Sequence, residues 1–262
     1  MCIADDTLKW LMTFMAVLLG ACVASFVETA AHRLVTGRPF WGRERSCCES
    51  CGRQLGTWDL IPVLSFLWFR GRCRTCGDKI PKEYLFYEAF TALAFGLAVF
   101  VFGPGIKALS CMAMFSFGLF HGVTDRESGY VYDVVSIASF VAGVSFGYLG
   151  SGMPGLKWAL LGGLAGFLPL ALIVVLSFGR MGIGDAILMG GLGTFLGPVG
   201  ALLGVYFAVI IGGVWAIYMV LKGRINRKDP VPFGPFLWVG SFLAFMLKGW
   251  IIRFLSDWFL AL

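Results

Sequence analysis

Among the 15 acids of the chain, Asp125 and Asp185 stand where paired chemistry is possible. Asp125 follows an apolar run in the stretch His121-Gly-Val-Thr-Asp125-Arg-Glu127-Ser-Gly-Tyr-Val-Tyr-Asp133. Asp185 ends Gly182-Ile-Gly184-Asp185 and opens the next apolar run. Two apolar stretches of membrane-crossing length lie between them, so both carboxylates return to one membrane face. Two carboxylates sharing a site of low dielectric cannot both ionise easily, and the pair then titrates as a unit. Such a pair can activate a water, protonate an amide oxygen and release the amine. Gly182 and Gly184 lack side chains where an extended peptide backbone would approach, which makes them candidate substrate-binding positions. Read singly, Asp125 is also an ordinary helix-end aspartate and Asp185 an ordinary helix cap.

The cysteines suggest a second chemistry. Four of the eight form two pairs, Cys48-Glu-Ser-Cys51 and Cys73-Arg-Thr-Cys76, and 21 residues separate the pairs. Two such knuckles can close a tetrahedral thiolate site around Zn2+, and four thiolates leave no position open for water, so the role expected is structural. Gly52 and Gly77 directly follow the pairs, where a tight turn aims amides back at sulfur. Cys47 can replace Cys48 as the first ligand, and two disulfides or simple reduced thiols are the alternative states of the same residues. A cytoplasmic setting disfavours disulfides.

The elements that must position these groups are membrane helices. Of the 262 residues, 58% are apolar and 14% charged, against about 25% charged in soluble domains. One core cannot hide so much apolar surface. This excludes a soluble enzyme, a disordered chain and a disulfide-stapled secreted domain. The fold class expected is an all-α polytopic membrane protein with about eight transmembrane helices and a small zinc-ribbon-like loop domain built on the four paired cysteines. Spans are predicted near 8–27, 84–103, 106–123, 131–149, 158–178, 186–203, 204–221 and 235–256, with 186–221 also readable as one span plus a re-entrant piece. The domains expected are a first helix at 1–28, a cysteine loop at 29–83 and a bundle at 84–262.

The net charge of +6 is unevenly placed. Ten of the 21 basic residues lie between Arg33 and Lys82, and four more crowd Lys222–Lys228. Eight crossings put 16 of them on one face, which the positive-inside rule makes cytoplasmic, with both termini outside. The clustering reads as loops beside a lipid bilayer rather than as a nucleic-acid surface. No cleavable secretory signal is expected at the N-terminus, and the first apolar run reads as a retained helix.

Taken together, these pieces resemble the type IV prepilin peptidases, a family of membrane aspartic proteases. Ser25-Phe26 with His32-Arg33-Leu34 resembles the first-helix signature of that family. Ile61-Pro62-Val63-Leu64-Ser65 and Arg70-Gly71-Arg72-Cys73-Arg74 resemble its cytoplasmic domain, and Tyr84 and Glu88 fit the segment after it. Asp125 with Glu127 and Asp133 is similar to the first catalytic motif and Met181-Gly-Ile-Gly-Asp185 to the second, while Pro232-Phe-Gly-Pro-Phe236 resembles the last. The resemblance implies a bacterial inner-membrane enzyme whose catalytic pair is Asp125 and Asp185 rather than Asp133. It would cleave the basic leader of prepilins and pseudopilins after a glycine at the cytoplasmic face. It would then methylate the new N-terminal amine with S-adenosylmethionine, whose binding residues no Gly-rich fingerprint locates. Ala24, Glu28, Glu49, Tyr132 and Ile187 depart from the family pattern but leave both aspartates and all four thiolates in place. On charge alone, a proton-coupled transporter or a non-catalytic zinc-binding assembly factor would use the same groups. His121 is assigned a packing or hydrogen-bonding role, and Glu88 a basic partner in the loop.

Overall fold

The computed structural model of the protein describes residues 2–38, 45–177, 181–226 and 231–260. Seven α-helices and one short 3-10 turn make up these residues, with two isolated bridges and no strand among them. In order they are α1 (Cys2–Val35), the turn Thr57–Asp59, α2 (Leu64–Trp68), α3 (Lys82–Phe102), α4 (Ile106–Ser128), α5 (Asp133–Leu176), α6 (Ile183–Leu221) and α7 (Gly234–Leu260). All except α2 are long and apolar enough to cross a membrane, giving six candidate spans. The chain divides into two compact units, Met1–Ala108 and Leu109–Leu262.

In the first unit α1 and α3 meet through small residues. A Cβ on Gly20 would lie 2.7 Å from the Thr91 carbonyl oxygen, and one on Gly96 would lie 2.6 Å from Val17 Cγ2. Helices in lipid gain little from burying apolar surface against each other, so close backbone approach supplies the attraction. His32 and Arg33 stand in the last turn of α1, where positive charge complements the helix dipole. Pro81 precedes α3, and the Gly103 N–H closes it on the Val99 carbonyl.

In the second unit the six expected spans are not six separate elements. The expected spans 131–149 and 158–178 share the single element α5, Asp133–Leu176, and 186–203 and 204–221 fall within α6. Straight helices of 44 and 39 residues would reach about 66 and 58 Å, roughly twice the hydrocarbon thickness. Neither is straight. Ser151 and Gly152 leave helical geometry inside α5, and Gly197 does so inside α6, just before Pro198. Gly143 and Gly163, about 30 Å apart on a straight helix, both stand against Thr194. A Cβ on Gly193 would touch Ala201 at 3.4 Å, although eight residues of straight helix span about 12 Å. Both long helices therefore fold back at their breaks. The connections are so short, and so apolar, that helical hydrogen bonding continues on either side of each. Gly197 sits at φ +70°, which a side chain adopts at a cost.

A fold-back leaves the carbonyls of the turn before it without helical donors. The Lys248 ammonium on α7 donates to the Leu196 carbonyl at 2.7 Å, one residue before the break in α6. Lys248→Met keeps the stem but removes this charged donor. We expect it to destabilise the protein by about 2 kcal/mol, read as a lower thermal midpoint in detergent. An unchanged midpoint would deny the contact any structural weight.

Candidate active site and candidate metal centre

Asp125 lies near the C-terminal end of α4, and its side chain is buried. Asp185 lies in the first turn of α6 and is half-buried. The two carboxylates are within electrostatic reach of each other inside the second unit. A third helix completes the arrangement: the Gly234 N–H, at the start of α7, donates to Asp125 Oδ2 at 2.8 Å. First-turn N–H groups of a helix have no intrahelical acceptor, so α7 presents a donor that the carboxylate can use. The bond fixes the plane of the Asp125 carboxyl and occupies one of its oxygens.

Asp133 is exposed at the first residue of α5, and Glu127 is exposed on α4, so neither is enclosed with the pair. His121, one helical turn before Asp125, is fully buried, and its Nε2 lies 3.2 Å from Ser136 Oγ on α5. This is the hydrogen-bonding role expected of it. The two glycines before Asp185 differ. Among the described residues nothing lies nearer than 4.0 Å to a Cβ built on Gly182, whereas a Cβ on Gly184 would meet Val131 Cβ at 2.8 Å, which gives Gly184 a packing reason to lack a side chain.

The carboxylate partner that sequence reasoning did not assign is Gly234. It lies 109 residues from Asp125, and a backbone amide carries no side-chain signature. Its trace in the sequence is a glycine between Pro232 and Pro235 at the edge of an apolar run.

In the first unit the four sulfurs of Cys48, Cys51, Cys73 and Cys76 all lie within 4.8 Å of one another. Cys48 and Cys76 are 3.8 Å apart and Cys51 and Cys73 4.0 Å. Four sulfurs about 2.3 Å from a tetrahedral zinc stand about 3.8 Å apart, so the cluster fits that ion. Cys47 does not join the cluster and instead pairs its backbone with Gln54. The two knuckles repeat one pattern. The N–H of Gly52 reaches back to the Cys48 carbonyl and that of Gly77 to the Cys73 carbonyl. The N–H groups of Cys48 and Cys73 in turn donate to the carbonyls of Arg53 and Asp78. The Ser50 hydroxyl donates to the Asp78 carboxylate and ties one knuckle to the other. Backbone amides of Cys76 and Thr75 aimed at the Cys73 sulfur bring its thiol down to about 6. The Asp78 amide pulls on Cys76 too, but burial and the three neighbouring sulfurs outweigh it and push that thiol up to about 12. A metal ion displaces the protons such sulfurs share.

The surrounding loop is braced by acids. Burial alone would raise Asp59, yet the Gly56 N–H and the Arg53 guanidinium, 2.9 Å away, hold its carboxyl below the usual range. Glu49, inside the first pair, lies 2.9 Å from His32 Nε2 at the end of α1. Among the described residues Glu88 on α3 does not take the basic loop partner expected of it. It accepts the Val63 N–H at 2.6 Å and a hydrogen bond from Ser25. Val63 sits at φ 62°, a strained position for a β-branched residue, and the buried carboxyl holds its amide there.

The comparisons with known proteins follow this division. The bacterial peptidase A24 N-terminal domain matches residues 18–102, which contain all four clustered cysteines. The type IV leader peptidase family matches residues 112–217, which contain both aspartates. A prepilin leader peptidase/N-methyltransferase of Bacillus subtilis (strain 168) is 32% identical over 237 residues, 90% of this chain and 95% of the relative. The chain belongs to the type IV leader peptidase family. It is accordingly a membrane peptidase, with helices to match. Relatives of the same name occur in Burkholderia pseudomallei (strain K96243), 31% identical over 86% of this chain and 82% of the relative, and in Neisseria gonorrhoeae, 31% identical over 81% and 74%. No solved structure matches the chain.

Proposed function

We propose that this family member is an aspartic endopeptidase that cleaves the basic leader of prepilins and pseudopilins after a glycine, and then methylates the new N-terminal amine. The observation that carries the proteolytic part is that Asp125 on α4 and Asp185 on α6 stand within electrostatic reach of each other, with the Gly234 amide fixing one carboxyl. In the reaction one carboxylate takes a proton from water as its oxygen attacks the scissile carbonyl, while the other, protonated, donates to the carbonyl oxygen. The tetrahedral intermediate collapses by breaking the C–N bond, and the proton gained from water passes to the leaving amine. Gly182, uncrowded by the described residues, is the place where a substrate backbone can approach Asp185.

The protein spans the bacterial cytoplasmic membrane eight times, with α5 and α6 each making two crossings and both termini outside. The fold-back at Ser151-Gly152 and at Gly197 supports this count. Arg43, Arg180, Arg227 and Lys228, part of the basic face read from the sequence, lie outside the described residues. That face is cytoplasmic, and a basic leader remains there for the same electrostatic reason. The chain is divided into a first helix at 1–28, a cysteine loop at 29–83 that carries the metal ligands and a bundle at 84–262 that carries the two aspartates. Zn2+ held by Cys48, Cys51, Cys73 and Cys76 supplies a cross-link between the knuckles and no reactive position.

Two measurements test these readings. Purified protein in detergent, given a peptide with a basic leader, Gly-Phe and an apolar helix, is expected to cut between Gly and Phe. With labelled S-adenosylmethionine it should then transfer label to the phenylalanine amine. An intact peptide would overturn the first activity, and an unlabelled product the second. Metal analysis is expected to give one zinc per chain. Cys73→Ser should lose the ion and expose the 46–80 loop to protease while the helical signal persists. Full zinc content in that variant would remove the metal assignment.

A further inference from the structure

The proposed methylation needs a second ligand site, and the two aspartates do not supply one. We propose that the methyl donor binds in a pocket of about 360 Å³ in the first unit, between the C-terminal part of α1 and the loop that follows the first cysteine knuckle. The inference rests on reading the chain as a methyltransferase and adds where that activity takes its co-substrate. Pockets for ligands of this size begin at about 300 Å³.

The lining is unusual for a membrane helix. Ser25, Phe26, Thr29 and Arg33 recur at helical spacing and form one stripe of α1, and Leu60 and Pro62 face them from the loop. Two hydroxyls and a guanidinium on one stripe, with Thr29 and Arg33 past the end of the expected span, suit a polar ligand. S-adenosylmethionine carries an α-amino acid, a sulfonium, a ribose and an adenine, and each has a counterpart here. Arg33 offers the planar fork that binds a carboxylate bidentately. Phe26, 64% exposed, offers a ring face, and Leu60 and Pro62 an apolar wall, between which an aromatic base can lie. The Thr29 hydroxyl, whose own hydrogen goes to the Ser25 carbonyl at 2.8 Å, can accept a hydrogen bond from ribose. A sulfonium needs acceptor oxygen nearby. Ser25 supplies one, and behind it stands the buried Glu88 carboxyl to which it is hydrogen-bonded.

The same stripe explains a constraint on the loop. Glu88 holds the Val63 amide in its left-handed conformation, and Val63 follows Pro62 in the pocket wall. The wall is therefore fixed before a ligand arrives, which lowers the ordering cost of binding. Transfer requires no further reactant. The lone pair of the neutral amine forms the new C–N bond and the C–S pair leaves on sulfur as a neutral thioether. The surplus amine proton goes to water.

The test is calorimetric titration of the full-length protein in detergent with S-adenosylhomocysteine, on wild type, Arg33→Gln and Phe26→Ala. Loss of a charge-assisted hydrogen bond is expected to weaken binding at least about tenfold in Arg33→Gln, and Phe26→Ala should weaken it also. Both should lose methyl transfer in proportion while prepilin-peptide cleavage, whose aspartates belong to the second unit, reports that they fold. Cys22, an exposed thiol in the same lining, should be alkylated more slowly when S-adenosylhomocysteine is present. Wild-type methylation with unchanged affinity in both variants would overturn the pocket and leave the methyltransferase reading standing. Absence of both binding and methylation in the wild type would remove that reading and the pocket with it, without touching cleavage.

Discussion

Replacing either Asp125 or Asp185 by asparagine is expected to lower peptide cleavage by about a thousandfold or more, with little change in the amount of folded protein. General acid and base catalysis by a positioned group contributes about 10² to 10⁴, and here each carboxyl is required by the other. The amide oxygen introduced by Asp125→Asn can still accept the Gly234 N–H, so α4 and α7 keep their contact. What it cannot do is take a proton from water. Asp185→Asn leaves Asp125 without a partner to share the proton. Because the two act as one unit, the double variant should be scarcely slower than either single one. Multiplicative losses in the double variant would mean that the carboxylates act independently. Retention of cleavage in either single variant would exclude the shared-proton mechanism. Asp133→Asn is the control, since that exposed side chain opens α5 outside the pair and should change cleavage by less than about threefold.

Much of this arrangement was legible in the residues because its constraints are local or topological. The cysteine knuckles follow from spacing, since two residues between thiols and a glycine after them define one turn, and the two turns repeat. The aspartates follow from counting crossings. Two expected spans between Asp125 and Asp185 would return both to one face, and the element between them, α5, folds back at Ser151 and Gly152. The breaks were harder to place. The stretch 150–157 was read as a connection between spans, yet it carries helical hydrogen bonding almost throughout and reverses only at Ser151 and Gly152. Apolar periodicity does not report a turn that contains hardly any polar residue.

Groups whose partners are backbone amides were the least legible. Glu88 was assigned a basic partner on the rule that acids in apolar surroundings need one. It found the amide of Val63 instead, left open by a strained backbone. Gly184 was read as clearance for a substrate, and Val131 already occupies the space a side chain would take. In each case the deciding atom belongs to another helix or loop, and its residue type gives no hint of it.

Gly234→Ala is expected to reduce cleavage about a hundredfold while leaving the protein folded and its zinc bound. A Cβ at this position would lie 2.9 Å from Asp125 Oδ2, 3.0 Å from its Cβ and 3.2 Å from its Cγ. The carboxylate could rotate away, but Asp125 Cβ is fixed to α4 and cannot, so α7 must shift or Asp125 must move with its helix. Either change lengthens the 2.8 Å hydrogen bond that orients the carboxyl. Displacement of a reacting group by about 1 Å is enough for a hundredfold loss. The fall should appear in kcat with KM nearly constant, because the substrate helix and leader make their contacts elsewhere. Gly234 does not have a left-handed backbone, so alanine meets no conformational penalty and the effect is steric. Gly213→Ala on α6, where a Cβ meets nothing within 4 Å, separates this from a general intolerance of added methyl groups. Equal cleavage by Gly234→Ala and wild type would show that the amide does not position Asp125, and the third helix would then have no part in the active site.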